Sequence, residues 1–379
     1  MDESENKPSH PPVISTWSDL CPDLLRSVFE LLSFTNLVRA KSVCKSWNSA
    51  WRSCTPKRNQ IPWLILFPQE NQTNSNNNSC ALFVPDDKDN IYKTRDLGAN
   101  FTRSRCVASY GSWLLMRDHV RNLYIINPLT LERIDLPQYY SLSKHLIRQP
   151  RLACLWVDNI TRNYLVLWVL YDHMVYTRKG DGRWRTASTD RVGEPKQIVY
   201  NCKDHKVYFT TELSWIVFVW DFSDDIPKEN QNLLPFDVAI YDLFDEGTVE
   251  LSKYFYFRRM IATRVSGQVL VVTCMVQDSI WQFRIFEYDP LTTSWEKADD
   301  LGDEALILDM GFTVVAKDII PAGLKRNSIY FSGSDHYKKD PDHIFVYDLG
   351  TRTTEHLPQS VVSSVGFSHA RWFFPDITC

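Results

Sequence analysis

The chain has 379 residues, a net charge of −4 and an apolar content of 44%. That length predicts two or three domains, or one small module joined to one large domain. The mildly acidic balance gives no global basic field to hold nucleic acid or an anionic membrane surface. No apolar run, such as Tyr164–Tyr171 or Trp215–Trp220, reaches the length of a membrane span.

Residues 1–14, MDESENKPSHPPVI, are polar, charged and proline-rich, and read as a disordered tail rather than a secretory leader. The 9 cysteines are odd in number and lack CxxC spacing, which predicts reduced thiols in the nucleus or cytoplasm. Asp376 stands where a prenylation signal would need a cysteine. Without secretion, the glycosylation matches at Asn71, Asn77, Asn100 and Asn159 read as chance.

Residues 15–54 read as a module of two or three short amphipathic helices. Leu24, Leu25, Val28, Phe29 and Leu32 recur on one helical face, with Pro22 suited to a first turn. A second helix is expected from Thr35 as N-cap, with an apolar stripe of Leu37, Ala40, Val43, Cys44, Trp47 and Trp51. A module of ~40 residues cannot bury so much apolar surface within itself, so part of it is expected to face a partner. A boundary is expected near Ser53–Gln60.

From there to the C-terminus the pattern is strand-like, broken by the Asn-rich loop 71–79. A recurring unit places a β-rich run before an Asn/Asp-Pro or Asp/Gly corner and a short polar strand. Its instances are Leu123–Pro137, Met174–Thr186, Val217–Asp225, Phe283–Trp295 and Ile344–Pro358. The steps from Asn127 to Asp221, Asp289 and Asp348 are about 94, 68 and 59 positions, and the first is about twice a propeller blade. A propeller of degenerate four-stranded blades is expected, each corner joining two outer strands; a β-sandwich or several small β domains is the alternative.

The stretch Trp17–Trp51 resembles an F-box. The family pattern is met by Leu20, Pro22–Leu25, Val28, Phe29 and Leu37, then by Val43-Cys44-Lys45-Ser46-Trp47; Cys21 departs from it, standing where the family has leucine before proline. The remainder resembles plant F-box proteins with a KIB-type β-propeller, formerly a domain of unknown function. The matching residues include Ile61–Leu66, Gly111–Leu115, Asn127–Leu129, Ile134–Pro137, Leu301–Leu306 (LGDEAL), Asn327–Phe331 and Arg371–Pro375. The expected fold is thus α+β multidomain: a small all-α F-box over 15–54, then a large all-β propeller-like domain over 61–375.

The resemblance implies a non-catalytic subunit of a Skp–cullin–F-box ubiquitin ligase. Leu20, Pro22, Leu24, Leu25, Val28, Phe29, Leu32, Leu37, Val43, Cys44 and Trp47 would bind a Skp-type adaptor and, through it, a cullin–RING assembly. The propeller would bind an unidentified protein target, with no cofactor, metal, nucleic acid or membrane involved. The alternatives are a non-ligase scaffold or inhibitor that holds a signalling protein, and an enzyme using the central channel.

No P-loop, GxGxxG, GxSxG or HExxH occurs. His336 and His343 with Asp335, Asp340 and Asp342 match no metal-ligand spacing and read as a solvated loop. Asp299, Asp300, Asp303 and Glu304 lack the glycine and spacing of a calcium loop and read as structural. Arg178, Lys179, Arg183 and Arg185 read as a charged turn.

Overall fold

The computed structural model describes residues 17–32, 36, 39–53, 62–68, 78–83, 91–98, 101–139, 152–170, 173–188, 195–211, 216–229, 234–235, 256–277, 280–315, 324–332, 344–356 and 367–374. The tail 1–14, the Asn-rich loop 71–79 apart from its last two residues, and His336 and His343 lie outside these residues. The chain forms two compact units, Met1–Asn59 and Gln60–Thr378.

In the first unit a 3-10 turn, Trp17–Asp19, precedes α1, Pro22–Leu31. Proline opens α1, where its missing N–H costs no hydrogen bond. The second helix departs from expectation. Thr35 and Leu37 lie outside the described residues, and the chain turns at Lys41–Val43 before α2, Lys45–Ser53, begins. The break is made by tight backbone bonds from Ser42 N to Arg39 O (2.9 Å) and from Val43 N to Ala40 O (3.1 Å). The predicted stripe therefore divides: Ala40, Trp47 and Trp51 are buried, and Val43 points out.

The second unit opens with β1 (Trp63–Pro68), β2 (Ala81–Phe83) and β3 (Ile91–Lys93). Three antiparallel meanders come next. They are Arg105–Tyr110, Trp113–Arg117, Leu123–Ile126 and Arg133–Asp135 (β4–β7); then Leu152–Val157, Tyr164–Val169, Met174–Arg178 and Arg185–Ser188 (β8–β11). The third is Pro195–Asn201, Lys206–Thr211, Ile216–Asp221 and Lys228–Glu229 (β12–β15), with Leu234–Pro235 (β16) also on β14. Tyr256–Thr263, Val269–Gln277, Ile280–Asp289 and Ser294–Ala298 form β17–β20. The last strands are Glu304–Ile307 (β21), Phe312–Val315 (β22), Ser328–Ser332 (β23), Ile344–Asp348 (β24), Thr353–His356 (β25) and Phe367–Phe373 (β26).

These strands make five sheets, one of nine strands in the order β20-β19-β18-β17-β22-β21-β23-β24-β25. That sheet is two blades joined where β22 runs parallel to β17 and β21 runs parallel to β23, so the described residues form six blades. The C-terminal β26 supplies the inner strand of the first blade, pairing with β1 from Trp63↔Phe373 onward. The inner strands pack in sequence, β26 on β4, β4 on β8, β8 on β12 and β12 on β17.

Five of the inter-blade seams are separate apolar cores. Trp113, Leu115 and Ile125 meet Leu155 and Trp168; Leu167 and Tyr176 meet Val207 and Phe209. Val199 and Val217 meet Ile261 and Val271; Val272 and Phe283 meet Leu306 and Phe331; Ile307 and Tyr330 meet Leu64 and Trp372. Between the first and second blades Ser109 Oγ donates to Trp372 O (3.1 Å) and Phe374 N to Gly111 O (2.8 Å), which closes the ring. Each such buried aliphatic or aromatic side chain contributes about 1.5–3 kcal/mol.

The five corner segments read from the sequence are the hairpins β6–β7, β10–β11, β14–β15, β19–β20 and β24–β25, the outer strands of their blades. Their geometry repeats. Asn127 Oδ1 accepts from the N–H of Leu129 and Thr130, Asp289 Oδ1 from Leu291, and Asp348 Oδ1 from Gly350 and Thr351. The fifth residue of each corner, Leu131, Thr293 or Arg352, is left-handed with φ 67°, 55° or 55°. A side-chain acceptor thus replaces a strand partner for the turn's amides.

Candidate functional site

The helical unit has a small core and leaves apolar residues outside it. Leu25 (0% exposed) and Phe29 (2%) face Trp47, whose ring meets Phe29 edge-on with centroids 5.4 Å apart. Trp47 Nε1 donates to Trp17 O (2.9 Å) and Ser46 Oγ to Ser18 O (3.1 Å), fastening the N-terminal turn to α2. Ala50 and Trp51 complete the core, with Lys41 Nζ 5.0 Å from the Trp51 ring centroid. By contrast Trp17 is 69% exposed, Leu24 55% and Val43 56%.

The structure therefore divides the predicted contact residues. Leu25, Phe29 and Trp47 are interior, Pro22, Leu24 and Val43 are exposed, and Leu20, Val28, Leu32 and Cys44 are half-buried. Leu37 lies outside the described residues. Trp17 is an exposed aromatic that the sequence pattern did not single out as a contact; its place before the helices gave no periodicity to read. Cys44 sits at the start of α2, where first the Ser46 hydroxyl and then the Trp47 N–H hold its thiol below the ordinary range.

In the propeller the central axis is the natural place for a small-molecule site. The turn and strand that follow the LGDEAL segment reach residues of the first, second and fourth blades. The hairpin β21–β22, with the 3-10 turn Leu308–Met310 at its tip, lies at the inner edge of the ring. Phe312 meets Phe374 of the first blade (5.7 Å) and Tyr110 of the second (6.0 Å). Gln197 of β12 donates through Nε2 to Leu308 O and accepts from Ile261 N, both at 3.0 Å. Thr263 N of β17 donates to Gly311 O (2.9 Å). The groups converging here are rings, backbone amides and one amide side chain. Burial pushes the Tyr110 hydroxyl up, and the Cys202 thiol beside it adds to the effect.

The acidic signature residues have structural partners. Arg264 pairs with Glu287 (2.8 Å) and with Glu304 (3.3 Å), and Glu304 Oε2 also accepts from Thr313 Oγ1 (2.6 Å). Asp299 lies near Lys297 (3.4 Å) and Asp303 near Arg326 (3.8 Å). Among the described residues no group of three or more His, Cys, Asp or Glu is placed to hold a metal ion. The basic turn is internal bracing: Arg178 donates to Phe222 O (2.8 Å) and Asp224 O (3.0 Å), Lys179 to Thr161 O (2.6 Å), and Arg185 pairs with Asp181 (2.7 Å). Asn159, one of the glycosylation matches, accepts from Trp113 Nε1 (2.6 Å).

Comparison with known proteins gives two family matches. The F-box domain model matches residues 17–59, and the KIB1-4 beta-propeller model matches residues 81–348. Among similar proteins, one from Arabidopsis thaliana named as an F-box protein is 54% identical over 385 residues, covering 100% of both chains. A second Arabidopsis thaliana F-box protein is 49% identical over 371 residues, covering 96% of this chain and 97% of its own. Among solved structures, a protein from Lactobacillus plantarum is 12% identical with a TM-score of 0.41, covering 83% of this chain and 99% of its own. A likeness that distant carries no argument.

Proposed function

This chain belongs to the plant F-box proteins that carry a KIB1-4 β-propeller, and from that membership we propose that it is the substrate-recognition subunit of a Skp–cullin–F-box ubiquitin ligase. The observation that carries the reading is the pair Leu24 and Val43, left exposed by a module whose core is already filled by Leu25, Phe29, Trp47 and Trp51. Exposed aliphatic side chains beside a satisfied core suit an amphipathic docking surface for a Skp-type adaptor. Trp17 and Pro22 extend that surface.

The propeller holds a protein target in this reading, and the chain itself makes and breaks no bond. Its mechanism is tethering: a target bound to the propeller meets the ubiquitin-charged enzyme at raised effective concentration, and its lysines are modified for proteasomal degradation. The same reading puts the protein in the nucleus or cytoplasm, which imaging of a tagged chain tests.

The deciding experiment is co-purification of the full-length protein with a plant Skp-type adaptor, then with Leu24→Asp and Val43→Asp. Wild type retaining the adaptor and both variants losing it supports the reading. Undiminished capture by the variants would remove this surface, and target levels indifferent to deletion of residues 1–55 would favour a non-ligase scaffold or inhibitor.

A further inference from the structure

We propose that Ser42 is a phosphorylation site for a serine/threonine kinase that selects arginine three positions before its target, and that phosphate there releases the adaptor. The second half rests on the adaptor surface proposed above.

Ser42 occupies the turn Lys41–Val43 that separates the two parts of the predicted second helix, and it is exposed. Its backbone is fixed by the 2.9 Å bond to Arg39 O, while among the described residues its hydroxyl has no hydrogen-bond partner. Other serines of the module are engaged: Ser27 Oγ donates to Asp23 O (3.2 Å) and Ser46 Oγ to Ser18 O (3.1 Å). Arg39 stands three residues before Ser42 and is itself exposed, with Lys41 directly before the serine. Kinases choose substrates largely by such charge patterns. Thr55, Thr186 and Ser188 also follow arginines at this spacing; Thr55 lies outside the described residues, and Thr186 and Ser188 lie within β11, hydrogen-bonded to β10. Ser328, which follows Lys325, is fully buried.

The reaction is ordinary phosphoryl transfer. Ser42 Oγ forms a bond to the γ-phosphorus of Mg-ATP as the bond to the β-phosphate bridging oxygen breaks, the hydroxyl proton passes to the kinase base, and ADP leaves.

The consequence arises from position. A phosphate of about −1.5 to −2 charge would stand next to Val43, an exposed member of the proposed adaptor surface. The N-terminus of α2, which opens at Lys45 three residues after Ser42, favours negative charge in its vicinity. A charge held in such a contact must be desolvated when the adaptor docks, which opposes docking.

The test uses the full-length protein, Mg-ATP and the catalytic subunit of cyclic-AMP-dependent protein kinase, with sites mapped by peptide mass. Phosphate on Ser42 is expected, absent in Ser42→Ala and formed at least about tenfold more slowly in Arg39→Ala. Label confined to Thr55, Thr186 or Ser188, or a rate indifferent to Arg39→Ala in a variant of unchanged thermal unfolding, overturns the site. Titration calorimetry against a plant Skp-type adaptor then compares the two forms, and at least about tenfold weaker binding of the phosphorylated one is expected. Equal affinity overturns the release. Failure of the unmodified protein to bind overturns the adaptor reading and the release together, while the mapping still judges Ser42.

Discussion

Gly311 has no room for a Cβ: Val199 Cγ2, on β12 of the fourth blade, occupies the place where one would stand. Gly311 also has φ 72°, in the left-handed region that costs other residues about 1–2 kcal/mol. Two demands thus meet at the tip of the axial hairpin, backbone conformation and close approach. Gly311→Ala is expected to destabilise the propeller by roughly 2–4 kcal/mol, combining the left-handed cost with overpacking. Urea unfolding followed by tryptophan fluorescence measures it; a midpoint unchanged from wild type would show that the hairpin tip yields freely.

The adjacent leucines of α1 are expected to behave differently. Leu24 is 55% exposed and Leu25 fully buried. Leu24→Asp should leave helical circular dichroism and thermal unfolding near wild type while abolishing adaptor capture. Leu25→Asp should unfold the module outright, since an unpaired carboxylate replaces an apolar side chain against Phe29 and Trp47. Altering both leucines together, as sequence periodicity alone invites, would confound a lost surface with a lost fold.

Acid should weaken the propeller through its turn carboxylates. The Asp158 carboxyl is held low by the N–H groups of Thr161 and Ile160, Asp221 by the hydroxyl and N–H of Ser223, and Asp289 by the Leu291 N–H and the Thr292 hydroxyl. Each folded-state value lies below the unfolded value of about 3.9, so the stabilisation is full above that pH and fades as pH falls through the folded values. Melting temperature should therefore hold from neutral pH to about 5 and drop below about 4. Asp289→Asn keeps the acceptor, as Asn127 does in its own corner, and should flatten that drop. A drop as steep as wild type would show that this corner carries none of it.

Arg264 serves two carboxylates, and its removal should be partly reversible. Arg264, Glu287 and Glu304 are each about 20% exposed, so the pairs are neither fully solvated nor fully desolvated. Arg264→Ala leaves two like charges facing each other and should cost roughly 1–3 kcal/mol in urea unfolding. Adding Glu304→Gln removes one charge and keeps the Thr313 hydrogen bond, so the double variant should be more stable than the single. A double variant no better than Arg264→Ala would mean that like-charge repulsion is not the cause.

Much of the propeller was legible because its corners are local. Asn127, Asp289 and Asp348 bind amides two or three residues ahead, so residue type and spacing carry the signal without reference to the rest of the chain. The first blade is less legible, since its inner strand Phe367–Phe373 comes from the far end of the chain and no local pattern marks its pairing with β1. The helical module was legible in composition but not in its second helix, where Val43 had helical spacing and the tight turn at Ser42 overrode it.

The sequence by itself determined the kind of protein this is: a short amphipathic module ending in Val43-Cys44-Lys45-Ser46-Trp47, followed by degenerate β-blades with local turn chemistry. Tertiary structure alone decided which apolar side chains are core and which are surface, because Leu24 and Leu25 carry the same hydrophobicity and differ only in what packs against them. It also decided where the hairpin β21–β22 sits. That placement depends on Gln197, Val199, Ile261 and Tyr110, residues remote in sequence that meet the hairpin only once the ring has closed.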